Sequence, residues 1–156
     1  MDLDILARVA SGSYHDPHSV LGAHPYDGSI TVRTLRPFAA TIEIELPDGS
    51  RHPMEHELDG VWRAVLPLEV PSDYRLHVTY EGLGETVVDE PYRHLPTLGE
   101  LDLHLIREGR HEELWQALGA RIRQFDGPMG QATGTSFSVW APNARAVRLV
   151  GDFNHW

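Results

Sequence analysis

The sequence contains no cysteine, which excludes a disulfide framework and a thiolate metal site. It also lacks any apolar run near the length of about 20 residues that a bilayer demands. The opening Met1-Asp2-Leu3-Asp4 has neither the basic nor the apolar region of a secretory leader, so a cytoplasmic location is expected. No basic cluster is present: 23 acidic side chains face 13 basic ones, for a formal charge of -10. Such a field repels phosphate backbones and anionic lipid, so nucleic acid and membranes are not expected partners. A glycine-rich phosphate loop with its lysine is missing too, which leaves a nucleotide site unsupported, and no cofactor is expected.

What remains suits a globular protein. The 156 residues, 41% of them apolar, can fill one core of ordinary size, or one domain plus part of another. Asp2 is placed to cap a helix in which Leu3, Leu6, Val9 and Ala10 share a face, with Gly12 to stop it. From Ile30 the apolar period becomes two: Ile30, Val32 and Thr34 form one face and, after Pro37, so do Ile42, Ile44 and Leu46. Pro47-Asp48-Gly49-Ser50 and Asp59-Gly60 are turn sequences, because proline presets a negative φ and glycine tolerates a positive one. Trp62, Ala64 and Leu66, then Tyr74, Leu76, Val78 and Tyr80, alternate with polar or solvent-side neighbours, and Thr86 to Val88 supplies a last strand. About six short strands with a turn every 8–12 residues predict an all-β chain, an immunoglobulin-like antiparallel sandwich.

Beyond Leu98 the pattern breaks. Leu101, Leu103, Leu105 and Ile106, then Leu114, Trp115 and Leu118, read as a short irregular segment followed by a helix ending at Gly119, with Trp115 as its anchor. Gly127, Pro128, Gly130 and Gly134 predict a loop. The expected organisation is a β-sandwich module at 1–105, a helical connector and loop at 106–133, and the start of an incomplete second sandwich at 134–156. An internal repeat underlies the last element. Pro37 set over Pro142 aligns Val32-Arg33-Thr34 with Phe137-Ser138-Val139, and Ala39, Ile42 and Ile44 with Ala144, Val147 and Leu149. The first copy continues for several strands and the second stops at Trp156. Since a lone hairpin is marginal, the chain is expected to end inside its second module. Phe137, Val139, Val147 and Leu149 should then lie against the first module, pair with another chain, or be exposed and mobile.

Several segments resemble those of bacterial 1,4-α-glucan (glycogen) branching enzymes. Asp16-Pro17-His18-Ser19-Val20-Leu21-Gly22-Ala23-His24 resembles the motif that opens their first amino-terminal module. Asp89-Glu90-Pro91-Tyr92-Arg93 and Leu98-Gly99-Glu100-Leu101-Asp102-Leu103-His104-Leu105 resemble its close, and Gly109-Arg110-His111 with Leu118-Gly119-Ala120 resembles the linker. Phe137-Ser138-Val139-Trp140-Ala141-Pro142-Asn143-Ala144 with Val150-Gly151-Asp152-Phe153-Asn154-His155-Trp156 is similar to the start of a family 48 carbohydrate-binding module. His94-Leu95-Pro96 departs from the usual pattern of an aromatic and a second proline. The resemblance implies a parent enzyme that cleaves α-1,4 links and forms α-1,6 branches in glycogen biosynthesis. Its carboxylate nucleophile and carboxylic acid would sit in a downstream (β/α)₈ barrel absent from this sequence. The 156 residues alone are therefore expected to be inactive and to carry no catalytic residue.

Glucans are held by flat aromatic faces stacked on sugar rings, with amides and carboxylates bonding hydroxyls at the rim. The carbohydrate-contact candidates are Trp156, Trp140, Trp62 and Asn143. Trp62 shares its strand face with Ala64 and Leu66, so a core role competes; Tyr74, beside Leu76 and Val78, reads the same way. Glu43 with Glu45 and Glu112 with Glu113 are adjacent carboxylates that fit solvated faces better than a catalytic pair. His15, His18 and His24 match no metal-ligand spacing. Expected partners are an α-1,4-glucan such as glycogen and the missing barrel of the same polypeptide. The competing readings are a purely structural packing module of that enzyme and a non-enzymatic glycogen-binding protein.

Overall fold

The computed structural model describes residues 2–145 and 147–152, which divide into two compact units: residues 2–96 with 124–132, and residues 97–123 with 133–145 and 147–152. The first unit is an antiparallel β-sandwich. It opens with α1 (Leu3–Ala10), whose N-cap Asp2 accepts the Asp4 amide at 2.9 Å. Strands β1 (Gly22–Tyr26), β2 (Ser29–Leu35), β6 (Val61–Leu66) and β5 (Glu55–Leu58) form one sheet in that spatial order. The order β4 (Arg51–Pro53), β3 (Ala39–Glu45), β7 (Arg75–Tyr80), β8 (Glu85–Val88) forms the other.

Alternation decides the core. Ile30, Val32, Trp62, Ala64 and Leu66 point from the first sheet toward Ile42, Ile44, Leu76 and Val78 of the second, with Leu46, Met54 and Tyr74 completing the cluster. The outer face of the first sheet is covered as well. Leu6 and Val9 of α1, with Val20 and Leu21, close over Val61, Leu35 and Leu58. Beneath that layer Arg33 is held by Glu57 through two bonds of 2.7 and 3.2 Å, which compensates a guanidinium taken out of water.

Of the edge strands missed in sequence, β5 (Glu55-His56-Glu57-Leu58) is too polar to show an apolar period, and two contain a proline: β1 holds Pro25 and β4 ends on Pro53. Their lost donors weaken any period-two signal, yet an edge tolerates them because one side needs no ladder. Gly22 has a structural reason beyond turn chemistry. At φ +92° it faces the Tyr92 backbone, and a Cβ there would strike the Tyr92 carbonyl oxygen.

Residues 124–132 belong to the first unit through a polar clamp. Asp73 accepts the Met129 amide at 3.0 Å and Arg75 donates to the Met129 carbonyl at 2.5 Å. Asp73 also pairs with Arg93, and the His94 ring stacks on Phe125 with centroids 3.9 Å apart. Burial, then the nearby Arg93 charge, lowers the pKa of His94.

Beyond residue 96 three expectations are corrected. Glu100–Arg107 is the helix α2 rather than an irregular stretch, because Asp102 accepts the Gly99 amide at 3.1 Å and so caps its first turn. Only Leu114–Ala117 (α3) is helical where a longer helix was expected, and Trp115 is 70% exposed rather than an anchor. The expected glycine-rich loop is a hairpin of β9 (Gly119–Gly127) and β10 (Gly130–Ser138). Its signal was hidden because Ile122 lies on the face opposite Arg121, Arg123 and Phe125, so apolarity and period do not coincide. Phe137, Val139, Val147 and Leu149 are 46–64% exposed.

Candidate functional site

A strand that ends at a proline turn presents its last side chains to solvent. After β10 the chain runs through Val139 and Trp140 into Ala141-Pro142-Asn143-Ala144, closed by the Ala144 amide donating to the Ala141 carbonyl at 3.1 Å. Proline second and asparagine third suit such a turn, since proline presets the first central φ and a short amide tolerates the second position. Trp140 is 60% exposed and Asn143 is exposed, so an indole face and a side-chain amide stand three residues apart on one turn. An indole face offers C–H contacts to a pyranose ring, and the amide offers both a donor and an acceptor to hydroxyls.

The other candidates lie elsewhere. Trp62 is 8% exposed, its indole N–H donates to the Arg36 carbonyl at 3.3 Å, and His56 packs edge-on at 5.4 Å. As a core member of the first unit it has no open face for stacking, which removes it from the carbohydrate-contact set. Trp156 lies outside the described residues. Tyr74 is buried, with its phenol pushed to stay protonated by burial and then by Glu90.

Carboxylates suited to acid catalysis would be held protonated, as desolvation in a cleft does. The resolved shifts run the other way. Glu45 and Glu85 are lowered first by hydrogen bonds from His77, Asp48 by bonds from Ser50, and Asp102 by a bond from His111. Glu43 contacts Arg51 at 3.4 Å, and Glu112 and Glu113 are exposed beside α3. Of the three early histidines, His24 bonds the Leu21 carbonyl at 3.0 Å, while His15 meets the Tyr14 ring and His18 that of Tyr92. Among the described residues, no group of three or more His, Asp or Glu side chains is arranged to hold a metal ion.

The grouping that sequence reasoning missed is the outer face of the second sheet, where His77 sits between Glu45 and Glu85. Parity alone puts Glu43, Glu45 and His77 on one face once β3 is known to pair with β7. The place of Glu85 and Arg51 depends on the register of two further edge strands.

Comparison with known proteins gives two family-model matches. Residues 2–92 match the model described as alpha-1,4-glucan branching enzyme GlgB, N-terminal domain, and residues 117–156 match Carbohydrate-binding module 48 (Isoamylase N-terminal domain). A curated 1,4-alpha-glucan branching enzyme GlgB of Thermobifida fusca (strain YX) is 55% identical over 149 residues, 95% of this chain and 20% of its own length. GlgB 2 of Streptomyces coelicolor (strain ATCC BAA-471 / A3(2) / M145) is 55% identical over 150 residues, covering 96% of this chain and 19% of itself. The chain thus spans about a fifth of the length of the curated relatives it matches. A solved pullulanase from Paenibacillus barengoltzii is 18% identical with a TM-score of 0.41, covering 55% of this chain and 16% of its own, a likeness too loose to carry an argument.

Proposed function

This chain belongs to the family of the alpha-1,4-glucan branching enzyme GlgB N-terminal domain, and from that premise we propose that it is the accessory, glucan-guiding region of a 1,4-α-glucan branching enzyme. The parent would cut α-1,4 links in a cytoplasmic glucan and rejoin the freed segment as an α-1,6 branch, with its chemistry in a barrel outside these residues. A long polymer gains from being held at a second point, because local concentration rises when one contact keeps the chain near another site. The contact we assign is Trp140 with Asn143.

The observation that carries the reading is the exposed Trp140, paired in sequence with Asn143 on the turn after β10, inside the segment that matches a carbohydrate-binding module. Titrating the 156-residue chain with maltooligosaccharides while following tryptophan fluorescence tests it. A saturable change is expected, lost in Trp140→Ala with an unaltered circular dichroism spectrum. An unsaturable trace in the parent chain, or a full response in the variant, overturns the assignment. Branching by the highly purified chain would overturn the accessory role itself.

A specific observation favours the scaffold reading for the first sandwich alone. Trp62 and Tyr74, the aromatic side chains its strands offered as sugar platforms, both lie in its core. On that reading residues 1–96 stabilise the rest of the enzyme without touching glucan, and Trp140 retains the contact.

A further inference from the structure

Three strands of the second sheet meet at one imidazole on its outer face. His77 of β7 places Nε2 at 2.6 Å from Glu45 Oε2 on β3, and Nδ1 at 2.8 Å from Glu85 Oε1 on β8. An ionised carboxylate only accepts hydrogen bonds, and a neutral imidazole carries one N–H. Both contacts can be hydrogen bonds only when the ring holds two protons.

The surrounding charges require the same. Facing His77 are Glu45 and Glu43 on β3, Arg51 on β4, Arg75 on its own strand and Glu85 on β8. Arg51 lies 3.1 Å from Glu85 and 3.4 Å from Glu43. Three carboxylates thus stand against two guanidiniums, and an imidazolium brings the face to neutrality. His77 is itself buried, so a ring lone pair turned on either carboxylate finds little water, while Glu45 and Glu85 keep 30% and 44% of their side chains exposed.

Strand β8 depends on this contact more than β3 does. It is a four-residue edge pairing only with β7, three of its residues are exposed, and Val87 is 51% exposed. Little apolar burial holds it, and the Arg51 contact with Glu85 is a solvent-screened surface pair.

We propose that His77 is a proton-dependent bracket: doubly protonated it ties β3, β7 and β8 together, and release of one proton frees the edge strand β8. Hydrogen bonds from Glu45 and then Glu85, against burial and the Arg51 charge, raise the pKa of His77 above its ordinary 6.5. A raised folded value means the contribution is complete below the ordinary imidazole value and is lost as pH rises through the folded one. Glu45 and Glu85 are lowered from 4.5, so their share is present above that value and is lost on acidification. The bracket is whole between these limits and opens on the alkaline side first.

The test follows the His77 ring protons by NMR through a pH titration of the 156-residue chain, together with amide exchange at Thr86, Val87 and Val88 corrected for intrinsic rates. His77 should titrate above 6.5, and protection of β8 relative to β3 should fall across that same titration. His77→Gln, uncharged at every pH, should have no such step. Titration at or below the ordinary value, or an unchanged step in His77→Gln, overturns the proposal. If that variant does not fold, the titration and exchange of the parent chain decide alone.

Discussion

Residues 1–96 with 124–132 and residues 97–123 with 133–152 use similar side chains in opposite ways. In the first unit Ile42, Ile44, Leu76 and Val78 of one sheet meet Ile30, Val32, Trp62 and Leu66 of another, and each is buried. In the second, Phe137, Val139, Val147 and Val150 are 48–64% exposed although they carry the same chemistry. The lesson is that an apolar strand is a core element only when a second layer exists to receive it. Burial is roughly proportional to apolar area removed from water, and a lone hairpin removes little.

The comparison is broken or sharpened by substitution. Ile44→Ala, at a position fully enclosed between the two sheets, should cost about 4 kcal/mol in urea unfolding of the first unit, from lost transfer energy plus a cavity. Next comes Glu90→Ala. Glu90 is 1% exposed and accepts from Thr34 at 2.6 Å, from Arg36 at 2.9 Å and from the Tyr92 amide at 3.3 Å. Its removal leaves buried donors unpaired and should lower the unfolding free energy by about 3 kcal/mol. A smaller loss, about 2 kcal/mol, is expected for Gly22→Ala, which forces a side chain into a left-handed backbone against Tyr92. At the other extreme Val147→Ala, 62% exposed, should shift the unfolding of the second unit by less than about 0.5 kcal/mol. A loss near that of Ile44→Ala would place Val147 in a core and erase the contrast.

Much of the first sandwich was legible because the inward positions of its central strands are apolar at every second residue. Ile30-Val32-Thr34 and Leu76-Val78 advertise a period of two, and Asp2, Pro47-Asp48-Gly49-Ser50 and Asp59-Gly60 punctuate it with local chemistry. The turn at Pro47 forms as read: the Ser50 amide bonds the Asp48 carboxylate at 2.9 Å, and Gly49 takes φ +82°. The edge strands β1, β4 and β5 and the hairpin of β9 and β10 escaped notice, since prolines, polar runs and exposed apolar residues decouple hydropathy from backbone geometry, whereas the edge strand β8 was read at Thr86 to Val88. The candidate site was half visible. Trp140-Ala141-Pro142-Asn143 is a local motif, so its exposed turn follows from its own residues. The burial of Trp62 depends on a facing sheet that arrives from residues 39–46 and 74–80.

By itself the sequence determined the alternation, the turns, the helix cap at Asp2 and the motifs that match the branching-enzyme family, because each rests on neighbours within a few residues. Tertiary structure alone decided which face of each strand became interior, that Glu90 would be sealed beneath Thr34 and Arg36, and that His77 would lie between Glu45 and Glu85. Those partners are separated by 8 to 56 positions along the chain. Only the pairing of strands, chosen by burial of the two inner faces together, sets which distant side chains share a surface.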